Sequence, residues 1–125
     1  FNRALSKDPD DLPFLADYGN FLIQTGESEK GLSTIRMVLN KDPNYAMGHY
    51  YLGNYLLKKG KKEESLKEAQ KAVKLNPLDF NGHRLLGSVY ESMDKKKKSL
   101  AAYKKAAILL EKRVKSQDLF LDLSF

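Results

Sequence analysis

The sequence DPNYAMGHYYLGN at residues 42–54 is preceded by DPDDLPFLADYGN at 8–20 and followed by NPLDFNGHRLLGS at 76–88. Each stretch begins 34 residues before the next, and each has a proline at its second position and a glycine at its twelfth. A fixed period of this length is typical of repeat proteins, in which each supersecondary unit stacks on its neighbour. The chain is therefore predicted to consist of three related units.

Apolar side chains recur within each unit at spacings of three and four residues, which indicates two amphipathic helices per unit. We predict helices near residues 12–25, 28–40, 46–59, 62–75, 80–93 and 96–115. The predicted core faces include Ile35 in the first unit, Leu52, Leu56 and Ala69 in the second, and Leu100, Tyr103 and Ala107 in the third.

Turn-forming residues separate the predicted helices. Gly26, Gly60 and Asp94 lie between the two helices of their units, and these residue types tolerate the left-handed backbone of a tight turn. Proline cannot continue a helix, so Pro43 and Pro77 are expected to separate consecutive units. The expected N-caps of the three first helices are Asp11, Asn44 and Asp79.

These positions match the pattern of a known repeat. The second unit contains His49, Leu52-Gly53, Leu56, Ser65, Ala69 and Pro77 at the family spacing. The sequence thereby resembles the tetratricopeptide repeat family, whose unit of about 34 residues is a helix–turn–helix. In the third unit Glu111 replaces the closing proline.

The resemblance implies an all-α fold, a right-handed superhelical α-solenoid of antiparallel helix pairs whose first helices line a concave groove. We assign the repeats to residues 12–45, 46–79 and 80–113. Residues 1–11 are expected to be the second helix of a truncated preceding repeat. Residues 114–125 are expected to be a C-terminal extension or capping segment.

Small residues recur where the two helices of a unit are expected to cross. Side chains of this size let helix axes approach to about 8–10 Å. The predicted facing pairs are Gly19 with Gly31, Gly53 with Ser65, and Gly87 with Ser99.

Composition excludes several classes of protein. The chain has 125 residues, a net charge of +6 and no cysteine, so disulfides and thiolate metal sites are excluded. The longest apolar run, 106–110, is far shorter than the roughly 18 residues of a membrane span. We expect a soluble protein, with the cytoplasm favoured but the compartment left open. Because the chain begins at Phe1, we expect a piece of a longer protein.

Catalytic and cofactor motifs are not found. No Walker loop, dinucleotide-binding glycine motif or nucleophile elbow occurs in the sequence. His49 and His83 share a repeat position, but no cysteine or suitably spaced carboxylate completes a metal site. We therefore expect no enzyme activity, no cofactor and no metal.

The concave groove is the predicted binding site. By resemblance, its peptide-binding residues are Asn20, Tyr50, Asn54, Leu57, Arg84 and Ser88. Asparagine both donates and accepts hydrogen bonds, which suits the backbone of an extended peptide. Arg84 adds a preference for an acidic ligand. Co-chaperone repeats bind an acidic chaperone peptide through positions that correspond here to Ala16, Asn20, Tyr51, Asn81 and Leu85. Only Asn20 fits, so this clamp is not expected.

The predicted function is a non-catalytic protein–protein interaction scaffold or adaptor that binds a peptide or partner protein through the groove. Two alternatives remain: a regulatory module of a larger enzyme, and a self-assembling array in a multiprotein complex. The lysines at 58–62 and 95–98 are expected to form one basic edge, open to an acidic contact. Nucleic acid is not expected, because no aromatic residues are interleaved with these lysines. The apolar tail at 119–125 offers a route to self-association.

Overall fold

The computed structural model describes the backbone of residues 11–123 and the side chains of residues 11–118. This part of the chain contains six helices: α1 (Leu12–Gln24), α2 (Ser28–Lys41), α3 (Ala46–Lys58), α4 (Lys62–Leu75), α5 (Phe80–Ser92) and α6 (Lys96–Leu123). They pack as three consecutive antiparallel pairs, α1 with α2, α3 with α4, and α5 with α6. The fold is an all-α solenoid, as predicted.

The helix ends follow the predicted turn chemistry with one exception. Gly26, Gly60 and Asp94 all have positive φ, at 100°, 78° and 61°. Asp11 and Asp79 accept hydrogen bonds from the backbone amides of the first helical turns of α1 and α5. The prediction that Asn44 caps α3 is wrong.

Tyr45 occupies the N-cap of α3 and makes no capping bond with its side chain. Asn44 lies in the preceding loop, where its backbone amide donates to Asp42 Oδ1 at 3.0 Å. The repeat register explains this difference, because Tyr45, and not Asn44, lies 34 residues from Asp11 and Asp79.

The small residues face one another across the helix pairs, as predicted. Ser65 Oγ donates to the Gly53 carbonyl at 2.7 Å, and Ser99 Oγ donates to the Gly87 carbonyl at 2.8 Å. Each serine hydroxyl thus donates its hydrogen bond to the backbone of the facing helix. A Cβ at Gly53 would lie 3.3 Å from Glu68 Cβ, and one at Gly87 would lie 2.9 Å from the Tyr103 ring, so a side chain at either glycine would crowd the facing helix.

The core lies both within and between the helix pairs. Ile35 of α2 packs with Leu52 and Leu56 of α3, which joins the first unit to the second. Ala69 of α4 packs with Leu85 and Val89 of α5, which joins the second unit to the third. The first helices also touch in succession, α1 with α3 and α3 with α5. They form the surface that carries the candidate site, the one that the family resemblance predicts to be concave.

The last helix is longer than predicted. It was expected to end near residue 115, but it continues to Leu123. No proline interrupts it, since Glu111 stands where Pro43 and Pro77 end the earlier units. The chain is therefore helical at 114–123.

Two residues assigned to the core of α6 are exposed. Leu100 is 66% exposed, and Ala107 is exposed as well. Their counterparts in α2 and α4 pack against the first helix of a following unit, whereas α6 contacts α5 alone among the described helices. Repeat position predicts burial only where another helix packs on the same face.

The prediction for residues 1–11 falls on residues outside the described part, except for Asp11 itself. The side chains of 119–123 and residues 124–125 lie outside it too. None of the described helices combines the length and the apolar character that a membrane crossing requires.

Candidate groove site

The first helices of consecutive units are linked by side chains at equivalent positions. Tyr51 donates to Asp17 Oδ1 at 2.7 Å, and Arg84 donates to the Tyr50 hydroxyl at 3.3 Å. Lys58 donates to Gln24 Oε1 at 3.3 Å. Each bond joins residues that are 34 apart in the chain. The groove floor is thus a ladder of bonds between repeats.

A cavity of about 220 Å³ opens between α3 and α5 on this surface. It is lined by Tyr50, Asn54, Arg84, Leu85 and Ser88. Four of these residues belong to the predicted site, so the structure brings most of that set together. The fifth, Leu85, is 4% exposed and belongs to the core cluster.

Arg84 is positioned from three sides. Its guanidinium donates to the Tyr50 hydroxyl and, at 3.2 Å, to Asn81 Oδ1. The guanidinium carbon also lies 5.9 Å from the centroid of the Phe80 ring, within cation–π range. No carboxylate is paired with it in the described part of the chain. Arg84 is exposed and thus presents a fixed positive charge at the cavity.

Ser88 is held by the second helix of its own unit. Its hydroxyl lies 2.8 Å from the hydroxyl of Tyr103 on α6, and Tyr103 donates weakly to Glu91 at 3.4 Å. Ser88 is half-buried. It therefore contributes one wall of the cavity rather than a free hydroxyl.

The two groove asparagines differ from Arg84 and Ser88, because their amides have no hydrogen-bond partner in the part of the chain described. Asn20 and Asn54 occupy equivalent positions on α1 and α3, and both are half-buried. Half-buried amides lose part of their solvation, so they gain from a ligand that pairs with them. Asn54 lines the cavity, whereas Asn20 does not.

Leu57 is a predicted site residue that does not line the cavity and, like Tyr50, packs against the core. It is half-buried and packs against the cluster of Ala69, Leu85 and Val89. Its apolar side chain is turned toward the interface between the second and third units. Only its remaining exposed surface is available to a ligand.

Tyr51, Asp17 and Tyr103 shape the groove, but they are absent from the predicted site. The sequence does contain a signal for the first two, because they occupy the same repeat position and consecutive first helices lie side by side. A hydrogen bond between a donor and an acceptor 34 residues apart, such as Tyr51 and Asp17, could therefore have been predicted from the sequence. Tyr103 carries no such signal, since it reaches the groove from a second helix.

The bond between Tyr51 and Asp17 alters the acidity of the phenol. Burial first, and then the hydrogen bond to Asp17 and its negative charge, raise the pKa of Tyr51 well above its ordinary value. Burial also raises the pKa of Tyr45, with smaller contributions from Asp17, Asp11 and Asp42. The carboxylate of Asp17 thus favours neutral phenols at this end of the groove.

We expect Tyr51 to ionise above the ordinary phenol range of about pH 10. Its pKa is higher in the folded state, so its contribution to stability is present below pH 10 and is lost as the pH rises toward the folded-state pKa. Phenolate formation is titrated against pH in the parent and in Tyr51→Phe. The difference between the two curves is the titration of Tyr51. The variant Asp17→Asn should move the difference curve back toward the ordinary range. A difference curve already centred there in the parent would contradict the prediction.

The two histidines are engaged in the fold. The ring nitrogens of His49 lie 2.6 Å from Glu68 Oε2 and 2.6 Å from the Pro43 carbonyl. His83 Nε2 lies 2.8 Å from the Pro77 carbonyl. Each histidine thereby joins its first helix to the preceding loop. From residue 11 to 118, no three metal-ligating side chains form a cluster.

The lysine edge is formed by the turns of the second and third units. Lys62 donates to the Ser92 carbonyl at 2.7 Å, which links the two turns. Lys59 and Lys98 lie 5.8 and 5.7 Å from the ring centroids of Tyr55 and Tyr90. Lys95, Lys96 and Lys97 remain exposed. The edge lies at the turns, apart from the groove cavity.

Comparison with known families identifies the repeat unit. Profiles of the tetratricopeptide repeat match residues 46–79 and residues 85–107. The first match coincides with the second unit, and the other falls within the third. No curated protein sequence matches the chain.

Solved structures share the fold at low sequence identity. A crystal structure of MamA superposes with a TM-score of 0.71 at 24% identity, over 86% of this chain and 63% of that one. The second tetratricopeptide domain of Spaghetti (RPAP3), bound to the HSP90 peptide SRMEEVD, gives 0.73 at 18% identity, over 78% and 85%. The chain thus spans less than two thirds of the length of MamA. Likeness at this level of identity establishes the fold alone.

Proposed function

We propose that this chain, a tetratricopeptide repeat protein by its sequence and fold, binds an extended peptide of a partner protein in its concave groove. The protein is an interaction scaffold in general character, and the groove is the specific surface proposed for it. The observation that carries the proposal is the cavity between α3 and α5, lined by Asn54 and Arg84.

The unpartnered asparagines support recognition of a peptide backbone. Asn20 and Asn54 lie one repeat apart along the groove, and each amide offers both a donor and an acceptor. An extended peptide presents the same two groups at every residue. A peptide lying across the first helices would pair with both amides without displacing any internal hydrogen bond.

The charge at the cavity supports an acidic ligand. Arg84 is held by Tyr50, Asn81 and Phe80, so little side-chain entropy is lost when it binds a carboxylate. A planar guanidinium binds a carboxylate through two parallel hydrogen bonds. We therefore propose that an acidic side chain of the peptide lies beside Arg84.

The domain of Spaghetti (RPAP3) was solved with the peptide SRMEEVD, which contains two glutamates and an aspartate. That complex supports an acidic peptide as the ligand class for this fold. The co-chaperone clamp itself is not proposed here, because four of its five positions carry other residue types in this sequence. Specificity would come instead from Tyr50, Arg84 and Ser88.

The two alternative functions inferred from the sequence, a regulatory module and a self-assembling array, remain hypotheses. A role as a regulatory module of a larger enzyme would use the same groove, because such modules also act by binding. A self-assembling array would need a surface that recognises the chain itself. We propose no catalytic role for the cavity, whose polar groups are the Asn54 amide, the Arg84 guanidinium and the hydroxyls of Tyr50 and Ser88.

We expect the double variant Asn54→Ala/Arg84→Glu to lose most of its affinity for acidic peptides selected from an array with the parent protein. Loss of the amide bond weakens binding by about 0.5–1.5 kcal/mol, which is a few-fold. The charge reversal at Arg84 adds repulsion, and we expect about tenfold or more from it. Fluorescence anisotropy of the labelled peptides gives both values.

The matched control is Asn40→Ala/Lys67→Glu, which makes the same kinds of change at exposed positions of α2 and α4. It alters the net charge as the groove variant does, so it separates a local effect from a general one. If the groove variant binds as tightly as this control, the groove is not the site. Attention then moves to the lysine edge, where added salt should weaken binding.

A further inference from the structure

A second arginine lies close to the aromatic ring that helps to hold Arg84. The guanidinium carbon of Arg113 lies 6.0 Å from the centroid of the Phe80 ring, and that of Arg84 lies 5.9 Å from the same centroid. The two carbons are therefore separated by no more than the sum of these distances, about 12 Å. Two positive charges, one from α5 and one from α6, thus lie beside a single aromatic ring.

The position of Arg113 in α6 directs it toward α5. Ala102, Ala106, Leu109 and Arg113 follow one another at spacings of four, three and four residues, so they share one side of the helix. The first three are buried, at 7%, 6% and 9% exposure, and α5 is the described helix that α6 contacts. Arg113 continues this side by one turn, to the start of α5. It belongs to the interface within the third unit and not to the outer face of α6.

A second cavity, of about 360 Å³, lies beside Arg113 between the second and third units. Its lining includes side chains from three helices: Met47 of α3, Phe80 and Asn81 of α5, and Leu109 and Arg113 of α6. Met47 and Asn81 lie three residues before Tyr50 and Arg84, which line the cavity of about 220 Å³ described above. Asn81 Oδ1 also accepts the bond from Arg84 at 3.2 Å. The two cavities are therefore neighbours along α3 and α5.

The charges around the second cavity favour an anion. Among the described side chains, no carboxylate is paired with Arg113. Asp79 lines the cavity, but its Oδ1 accepts a hydrogen bond from the backbone amide of Asn81 at 3.1 Å as the N-cap of α5. Glu111 is exposed and is paired with Lys115 at 2.9 Å. Two guanidiniums and the carboxylate of Asp79 leave a net charge of +1 at the two cavities.

The separation of the guanidiniums limits the spacing of the acidic groups that they can bind together. In an extended peptide, side chains on one face recur every second residue, about 6.6 Å apart, and the next one on that face lies about 13 Å away. The first distance is within the limit of about 12 Å, whereas the second exceeds it. An extended peptide would therefore engage both arginines through acidic residues that are separated by one other residue.

We propose that Arg113 is a second specificity-determining residue of the groove, and that the ligand is a peptide with two acidic side chains separated by one residue. One carboxylate would bind Arg84, as proposed above, and the other would enter the second cavity and bind Arg113. The inference rests on the proposed function, since it requires a peptide at Arg84. It adds the acidic pattern of the ligand and a contact from a second helix.

The probes are pools of labelled peptides of about eight residues, blocked at both ends, with uncharged residues at all variable positions. One pool carries a single glutamate, and the others carry a second glutamate at each of the next positions in turn. Measured by fluorescence anisotropy, the parent should bind the pool with glutamates two positions apart most tightly. Arg113→Gln should lower this affinity about fivefold, to that of the single-glutamate pool, which is the scale of an exposed ion pair. Its affinity for the single-glutamate pool should equal that of the parent.

The matched control is Lys112→Gln, which removes one positive charge from an exposed neighbour of Arg113 on the same helix. It should bind every pool as the parent does. Arg113→Lys keeps the charge but loses the planar guanidinium, so it should retain part of the preference for a spacing of two. Both positions are exposed, and circular dichroism should therefore show that all three variants are folded.

A further variant, Arg84→Gln, separates this inference from the proposed function. If the parent binds no glutamate pool, or if Arg84→Gln binds the single-glutamate pool as tightly as the parent, the acidic ligand proposed for Arg84 is wrong and this inference fails with it. If Arg84→Gln weakens that binding but a second glutamate adds no affinity, only the role of Arg113 is overturned. The same holds if Lys112→Gln reproduces the effect of Arg113→Gln, or if Arg113→Gln weakens the single-glutamate pool equally. A preferred spacing other than two would overturn the acidic pattern.

Discussion

Replacing Ile35 with alanine is expected to lower the free energy of unfolding by about 2–5 kcal/mol, the range for truncating a large buried aliphatic side chain. Ile35 is fully buried and packs against Leu52 and Leu56 of the following unit. Its removal leaves a cavity in the interface that joins the first two units. The stability of a repeat array depends on such interfaces between neighbouring units. The loss of stability should therefore affect the second unit as well as α2.

The control for this prediction is Met37→Ala in the same helix. Met37 is 41% exposed, so its truncation removes side-chain volume without opening a comparable cavity. Urea unfolding followed by circular dichroism measures both variants. Equal losses at the two positions would show that Ile35 is not at the centre of the interface.

Gly31→Ala is expected to destabilise the protein by about 1–3 kcal/mol through overpacking. The usual effect of this exchange inside a helix is the opposite, a gain of up to about 1 kcal/mol. A Cβ on Gly31 would lie 2.7 Å from Ile23 Cγ1 and 2.9 Å from the Ile23 amide nitrogen, and would meet the Gly19 carbonyl oxygen. Two of these atoms belong to the backbone of α1 and cannot move without shifting the helix.

A second substitution at Gly31 tests whether the repeats are interchangeable. Gly31→Ser introduces the residue found at the equivalent positions 65 and 99, where the hydroxyl bonds the facing carbonyl. We expect it to destabilise the first unit as alanine does. The control is Gly82→Ala, whose Cβ would come closest to the side chain of Val73, at 3.2 Å, and would lie 3.6 Å from the nearest backbone atom. A melting temperature of Gly31→Ala equal to or above that of the parent would contradict the assigned crossing of α1 and α2.

Much of the local structure is predictable from the sequence because its causes are local. Asp11 and Asp79 cap helices, and Gly26 and Gly60 take positive φ, as their residue types favour. Five of the six described helices end within a residue of their predicted ends, whereas α6 does not. Only the absence of a proline near residue 111 indicated its extra length.

The site is predictable in part. Tyr50, Asn54, Arg84 and Ser88 meet at one cavity because two repeat positions, one shared by Tyr50 and Arg84 and one by Asn54 and Ser88, place them on the same side. Leu57 is predicted there too, but it does not line this cavity. Helical spacing assigns a residue to a face, yet it does not determine how deeply a neighbouring helix covers that face.

The period, the helix pairs, the turns and the small residues at each crossing follow from the sequence, because they depend on residues within one unit. Tertiary structure alone decided which side chains bond between units, as Tyr51 does with Asp17, and which equivalent leucines are covered. Leu66 is half-buried and Leu100 is 66% exposed although they share a repeat position. The reason is physical: burial of a helix face requires a second helix against it, and a repeat encodes the face but not its neighbour.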